Sequence, residues 1–233
     1  MKTVLFDLDG TLLPMDQDVF IKAYFGGLAT KMVPYGYDPQ QLIKGIWYGT
    51  EFMIKNDGSR TNEEAFWDGC QRVVPGARKD EPIFNDFYHN EFKFVSSSCG
   101  FDSRAGEVIS YLKGRGCTVV LATNPIFPAL ATMNRIQWAG LNADDFRWIT
   151  TYENSHFCKP NPMYYREILD RLGLQPEECI MVGNDVTEDM IARELGMDVF
   201  LLTDNMINQY GKDISQYPHG SFPALMTFLE KSV

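Results

Sequence analysis

Histidine is scarce in this chain, and positive charge is in the minority. The three histidines among 233 residues, His89, His156 and His219, stand far apart. Such spacing argues against a histidine metal site or a histidine-centred triad, and all three read as structural or surface residues. Lysine and arginine total 21 against 31 aspartates and glutamates, a formal net charge of -10. Nucleic-acid backbones and anionic membranes are repelled by that balance, and no local basic run offsets it. The five cysteines, Cys70, Cys99, Cys117, Cys158 and Cys179, are scattered and form no Cys-x-x-Cys. A disulfide framework or zinc site is therefore not expected, and a reducing cytoplasm suits the chain. No apolar run approaches bilayer length, and Asp7 and Asp9 interrupt the only N-terminal signal-like segment. Internal repeats and low-complexity tracts are missing too.

What is present is a chain rich enough in apolar residues, at 45%, to bury a sizeable core. Its length fits one large domain, or a medium domain with a smaller insert. Thr3-Val-Leu-Phe-Asp-Leu-Asp-Gly-Thr-Leu-Leu13 opens with an apolar run suited to a strand buried on both faces of a parallel sheet. The run ends in Asp7 and Asp9, which point the same way if the extended geometry persists. They then emerge at the carboxyl end of the strand, where open α/β sheets bind ligands. Two carboxylates about 4 Å apart repel by roughly 4 kcal/mol at an effective dielectric of about 20. Such a pair needs a cation, or a proton held on one member. An acidic turn after an edge strand explains Asp-x-Asp-Gly equally well by itself.

From Asp16 to Phe94 helix-like blocks replace strand alternation. They run from Asp18 to Val33, from Asp38-Pro39 to Lys55, from the capping box Thr61-Asn-Glu-Glu64 to before Pro75, and from Asp80 to Phe94. Together they predict a small helical bundle over 16–95, with Phe20, Tyr24, Phe66 and Trp67 in its core and Trp47 or Tyr48 near a ligand. From Ser103 strands and helices alternate. Strands are expected at Cys117–Ala122, Phe146–Thr150, Cys179–Val182 and Asp198–Leu202. Helices are expected at Arg104–Gly114, Ile126–Ala139, Pro162–Leu172, Thr187–Leu195 and Phe222–Lys231. That alternation predicts a parallel sheet with helices on both faces, joined by the strand that carries Asp7. The helical bundle is then an insertion into an α/β core of residues 1–15 and 96–233.

Three further segments sit at strand ends or helix starts. Thr123 ends a strand, and Asn124-Pro125 has the form of a helix cap, a natural phosphate cradle. Lys159 precedes the helix capped by Asn161, where a cation gains nothing from the dipole and suits an anionic ligand. Asp185 and Asp189 lie four apart and share a face if the segment is helical. Each has a plain structural explanation when taken alone: a cap, a solvated lysine, a helix start.

As a series, these segments resemble the four motifs of the haloacid dehalogenase-like hydrolase superfamily. Asp7-Leu-Asp-Gly-Thr11 matches the first, Thr123-Asn124 the second, Lys159-Pro160 the third, and Gly183-Asn-Asp-Val-Thr-Glu-Asp189 the fourth. The resemblance covers about 1–15 and 96–233, and the insertion resembles the helical C1-type cap in position, size and helicity. It implies a Rossmann-like three-layer sandwich with the first-motif strand in the middle of a central parallel sheet. It also implies phosphoryl transfer, with Asp7 as nucleophile and Asp9 as acid and then base. Thr123 and neighbouring N–H groups, with Asn124, would bind the phosphoryl group, and Lys159 would neutralise its charge. Mg2+ would be held by Asp7, the Asp9 carbonyl and Asp185, with Asp189 direct or through water. An acid at Asp9 favours a phosphatase or phosphomutase, because an alkoxide leaving group needs a proton and a halide does not. One departure is Asn184, which stands where the family's fourth motif usually has an acid; Asp185 is preferred as the ligand for its spacing to Asp189. The leading expectation is a Mg2+-dependent cytoplasmic phosphatase of a small phosphorylated metabolite. A sugar phosphomutase resembling β-phosphoglucomutase and a non-catalytic metal- or phosphate-binding module are the alternatives, and the oligomeric state is left open.

Overall fold

The computed structural model describes residues 2–233. Six parallel strands form one sheet in the spatial order β3-β2-β1-β4-β5-β6. Strand β1 (Thr3–Phe6) lies in the interior of that sheet, between β2 (Thr118–Leu121) and β4 (Cys179–Gly183). Next come β3 (Trp148–Ile149) beyond β2 and β5 (Asp198–Leu202) and β6 (His219–Gly220) beyond β4. The chain first winds outward from β1 to β3, then returns to the other side of β1. That reversal is the switch point at which open α/β sheets bind ligands.

Alternation within the strands explains the layering. Val4 and Phe6 face one apolar cluster with Val119, Leu121, Ile180 and Val182, while Leu5 faces a second with Val120, Met181 and Val199. Side chains of successive strand residues point to opposite faces, so an all-apolar strand has to be covered on both. The first face is covered by α5 (Ser103–Gly114), α6 (Ala129–Trp138) and α8 (Phe222–Ser232), the second by α7 (Pro162–Leu172) and a 3-10 turn at Met190–Leu195.

Between β1 and α5 lie α1 (Gln17–Met32), α2 (Pro39–Ile54), α3 (Asn62–Val73) and α4 (Glu81–Asn90). Their caps are those expected: Asp38 accepts from Gln41 N–H, and Thr61 with Glu64 closes a reciprocal capping box. Phe20, Tyr24, Phe84, Phe87, Tyr88 and Phe92 form their aromatic core, and Tyr24 and Tyr88 join their hydroxyls at 2.8 Å. This insertion rests directly on the sheet domain's α6, through Ala131, Leu130 and Trp138. Asn62, fully buried, joins the two parts. Its N–H donates to Ser155 O at 2.8 Å, and its side-chain amide reaches Pro125 O and Phe157 O at 3.3 and 3.2 Å. Among the described residues no helix is long and apolar enough to cross a membrane.

Two expected helices differ, and one strand was not expected. The helix after Thr123 starts at Ala129 rather than Ile126, because Pro125 and Pro128 hold the intervening chain out of helical geometry. The expected helix from Thr187 is a turn followed by 3-10 structure at Met190–Leu195. The short strand β6 went unanticipated; two residues carry too little pattern to announce themselves.

Candidate active site

Parallel register brings the four sequence segments to one rim. Phe6 pairs with Leu121 and Val182, so Asp7, Thr123 and Asn184 leave their strands together, at the carboxyl end. The bond from Asp7 N to Val182 O, at 2.9 Å, and that from Ala122 N to Phe6 O, at 2.7 Å, extend the sheet to this level.

Lys159 is the hub. Its ammonium is buried and donates to Asp7 Oδ1 at 2.8 Å and to Asp189 Oδ1 at 2.6 Å. The plain alternative of a solvated surface lysine is thereby excluded. Burial presses its pKa down, but Asp189 and Asp7 together hold it well above the ordinary lysine value. For Asp7 the balance goes the other way. Burial raises its pKa to about 7, and the neighbouring Asp189 and Asp9 add to the rise against the pull of Lys159.

Arg135 is the residue sequence reading missed. It is fully buried on α6 and donates to Asp9 Oδ2, while its guanidinium lies over the Phe127 ring at 4.5 Å from the centroid. A faint signal existed: Arg135 shares the apolar face of α6 with Ala131, Thr132 and Ile136. The other oxygen, Asp9 Oδ1, is buried with no hydrogen-bond partner among the described residues. Burial raises the pKa of Asp9, opposed by Arg135 and Lys159.

Two glycines make this crowding feasible. Gly10 has φ +82°, and a Cβ there would lie 2.3 Å from Asn184 Nδ2. At Gly183 a Cβ would meet Asp189 Oδ2 at 2.1 Å, so only glycine lets that carboxylate fold back beneath β4. Thr11 completes the link: its hydroxyl lies 3.0 Å from Asn184 Oδ1 and 3.3 Å from Asp7 Oδ2.

Thr123 is buried at the same rim, beside Asn124. The cradle differs from the expected helix start. The first N–H of α6, on Ala129, is taken by Glu153 at 2.8 Å, well away from Thr123 in the chain. Asn124 instead ties the loops together, accepting from Lys159 N–H at 3.3 Å and donating to Glu188 Oε2 at 3.0 Å. Burial pushes Glu188 up to about 8 in spite of Lys159.

The expected helical face of Asp185 and Asp189 is a tight turn. Asp189 N–H donates to Asp185 O at 3.0 Å, and Asp189 Oδ2 accepts from Asp185 N–H at 2.9 Å. With Oδ1 on Lys159, both oxygens of Asp189 are engaged inside the protein. Asp185 caps the turn with Oδ1, which accepts from Thr187 and Glu188 N–H, and keeps Oδ2 free of protein partners among the described residues.

Among the described residues no three His, Cys, Asp or Glu side chains converge into a ready-made metal shell. Lys159 separates Asp7 from Asp189, and Arg135 holds Asp9. The donor chemistry nonetheless fits a hard divalent cation. Asp7, Asp9, Asp185, Glu188 and Asp189 all line one cavity, and two buried cations balance only part of that charge. The cavity measures about 320 Å³ and lies between the strand ends and the helical insertion. Trp47 lines it as expected; Tyr48 turns instead to Phe52, with ring centroids 5.2 Å apart. The histidines stay outside it, His156 pairing with Glu167 at 2.7 Å.

Two aspartates just beyond an interior strand, with a buried lysine on one of them at a sheet switch point, make an α/β site preorganised for an anionic ligand. Residues 1–196 match the haloacid dehalogenase-like hydrolase family, and the chain belongs to that family and is a hydrolase. Over 207 residues it is 27% identical to a phosphoglycolate phosphatase of Vibrio vulnificus, covering 87% of this chain and 84% of that one. It is 26% identical over 215 residues to a glyceraldehyde 3-phosphate phosphatase of Methanothermobacter thermautotrophicus, covering 88% and 87%. The crystal structure of a HAD phosphatase from Thermococcus onnurineus shares the fold with a TM-score of 0.60 at 19% identity, each chain covered to 98%.

Proposed function

We propose that this hydrolase is a Mg2+-dependent phosphatase that cleaves a small phosphate monoester through an aspartyl-phosphate on Asp7. The observation that carries the reading is the buried bridge from Asp7 to Lys159 to Asp189 at the carboxyl end of β1. A lysine fixed on the nucleophile keeps it in one orientation and offsets charge as an anionic substrate arrives. The phosphatase relatives support the same reading.

Asp7 forms a bond to phosphorus while the bond from phosphorus to the ester oxygen breaks. Asp9 supplies the proton to that oxygen, and the burial that raises its pKa favours the protonated form. In the second half, water attacks phosphorus, Asp9 takes its proton, and the acyl phosphate bond at Asp7 breaks. Thr123 and the chain from Asn124 hold the phosphoryl oxygens. Asp7, Asp185 and the Asp9 carbonyl are the metal ligands of this reading. Asp189 acts behind them, on Lys159 and on the Asp185 backbone. When bound, the ion offsets the repulsion between the acids and the phosphate.

Residues 16–95 serve in this reading as the cap that closes the site against water. A sugar phosphomutase has less support, since a sugar bisphosphate would set its second phosphate in a cavity lined by no basic side chain. Phosphate release from a panel of phosphate esters, with Mg2+ and with chelator, tests the reading. Release is expected only with the metal and is lost in Asp7→Asn; release surviving that substitution refutes the nucleophile.

A further inference from the structure

We infer that the leaving group accepted by this site is an uncharged, largely apolar alcohol of aromatic bulk, and not a small acid or a polyol. The inference rests on the phosphatase reading and names its substrate class. Every side chain that α1 to α4 set around the cavity is uncharged, and apart from Gln17, Thr50 and Asn85 all are aromatic or aliphatic.

The charge distribution decides against an anionic tail. All five charged side chains on the cavity wall are acids. The nearby cations are spent: Lys159 on Asp7 and Asp189, Arg135 on Asp9. A carboxylate on the leaving group would lose its hydration and meet no counter-charge, which is the costliest kind of burial. A polyol finds few partners on this wall: the Tyr24 and Tyr88 hydroxyls bond to each other and the Thr50 hydroxyl donates to Ile46 O, which leaves chiefly Gln17 and Asn85 for several hydroxyls.

Apolar surface at the mouth is left without cover by the protein. Trp47 is 48% exposed and Ile54 50% exposed, and Trp47 packs on Phe25 at 5.5 Å between ring centroids. Walls of this kind reward displacement of water by an apolar group. Trp67, almost wholly buried on the same wall, has an indole N–H without an acceptor among the described residues. A cavity of about 320 Å³ is within the size range of small-molecule sites and leaves room for a ring beyond the phosphoryl position.

The test compares benzyl phosphate, 2-phosphoglycolate and glycerol phosphate as substrates of the Mg2+-loaded protein. All three are esters of unactivated alcohols, so their ranking reads the cavity more than the leaving ability. Benzyl phosphate is expected to have a kcat/KM at least about tenfold above either of the others, the size of effect one apolar contact commonly supplies. Trp47→Ala should lower kcat/KM for benzyl phosphate by about tenfold, with a smaller loss on glycerol phosphate. Ile54→Lys, a change at a half-exposed position, should move the ratio of phosphoglycolate to benzyl phosphate turnover up by about tenfold. Phosphoglycolate turned over as well as benzyl phosphate, or a ratio unmoved by Ile54→Lys, overturns the leaving-group assignment and leaves the phosphatase reading standing. Absence of phosphate release from any ester overturns both.

Discussion

Arg135, fully buried on α6, bonds to the carboxylate of Asp9, 126 residues away in sequence. This pair opposes the effect of burial on Asp9. Burial favours the protonated acid that a leaving alkoxide needs, and the guanidinium favours the carboxylate that later receives a proton from water. Arg135 acts through Asp9 and is a positioning residue.

Removing it should leave a signature in the pH profile. Activity that depends on protonated Asp9 falls as pH rises through the pKa of that group. Without the nearby positive charge that pKa is higher, so the alkaline limb of kcat/KM in Arg135→Met should shift to higher pH. The turnover number should fall as Asp9 loses its fixed orientation. An alkaline limb unchanged in position, measured on the purified variant, would show that Arg135 has only a packing role.

Lys159→Met removes the shared cation from Asp7 and Asp189. Loss of one buried partner commonly costs about 3–5 kcal/mol, and loss of one preorganised charge contact about 10²–10³-fold in rate. Both effects are expected here, read by urea denaturation and by phosphate release. Without Lys159 the pKa of Asp7 lies above the value of about 7 it has beside the ammonium, so proton uptake relieves the repulsion earlier in the variant, and the stability deficit should shrink as pH is lowered from the alkaline side toward about 7.

Asp7 itself should make the metal-free protein less stable as pH rises. Its pKa is raised from 3.8 to about 7 in the folded chain, so between those values the native state holds a proton that the unfolded chain releases. The contribution is fully present below about pH 4 and lost as pH passes about 7, and its size is on the order of 2–4 kcal/mol. Melting curves of the metal-free protein and of Asp7→Asn should therefore diverge across this window, with the variant gaining at high pH. Parallel curves would remove the basis of the expectation. Since Mg2+ competes with the same proton, its affinity, measured by calorimetry, should increase over the same range.

Asn62→Ala should loosen the contact between insertion and sheet domain. The substitution strips hydrogen bonds from the carbonyls of Pro125 and Phe157 and from Asn56, which donates to Asn62 Oδ1 at 3.0 Å. Groups left buried and unsatisfied cost about 1–3 kcal/mol. Faster amide exchange at 124–128 and 155–159 is expected alongside, because those loops carry Asn124 and Lys159. An unchanged exchange pattern would place the role of Asn62 within α3 alone.

Much of the architecture was legible in the chain because it is written locally. Apolar runs of four or five residues mark strands buried on both faces, and caps such as Asp38, Thr61 and Asn161 mark helix starts within one turn. Acids and a lysine placed at the ends of such elements converge once the sheet is parallel, so the rim of Asp7, Asp9, Thr123 and Lys159 followed from order alone. Helix boundaries failed where side chains override propensity. Asp185 takes the N–H groups of Thr187 and Glu188, and the expected helix becomes a turn.

Sequence by itself determined the alternation of strands and helices, the insertion after the first strand, and the meeting of four motif segments at one sheet edge. Only the tertiary structure decided that Asp189 turns inward to Lys159, that Arg135 holds Asp9, and that the wall facing them is aromatic and without positive charge. Periodicity and capping act over a few residues and can be read along the chain. Charge pairing and cavity lining depend on which distant side chains share a buried space, and an arginine or a phenylalanine carries no mark of its eventual neighbour until the chain has packed.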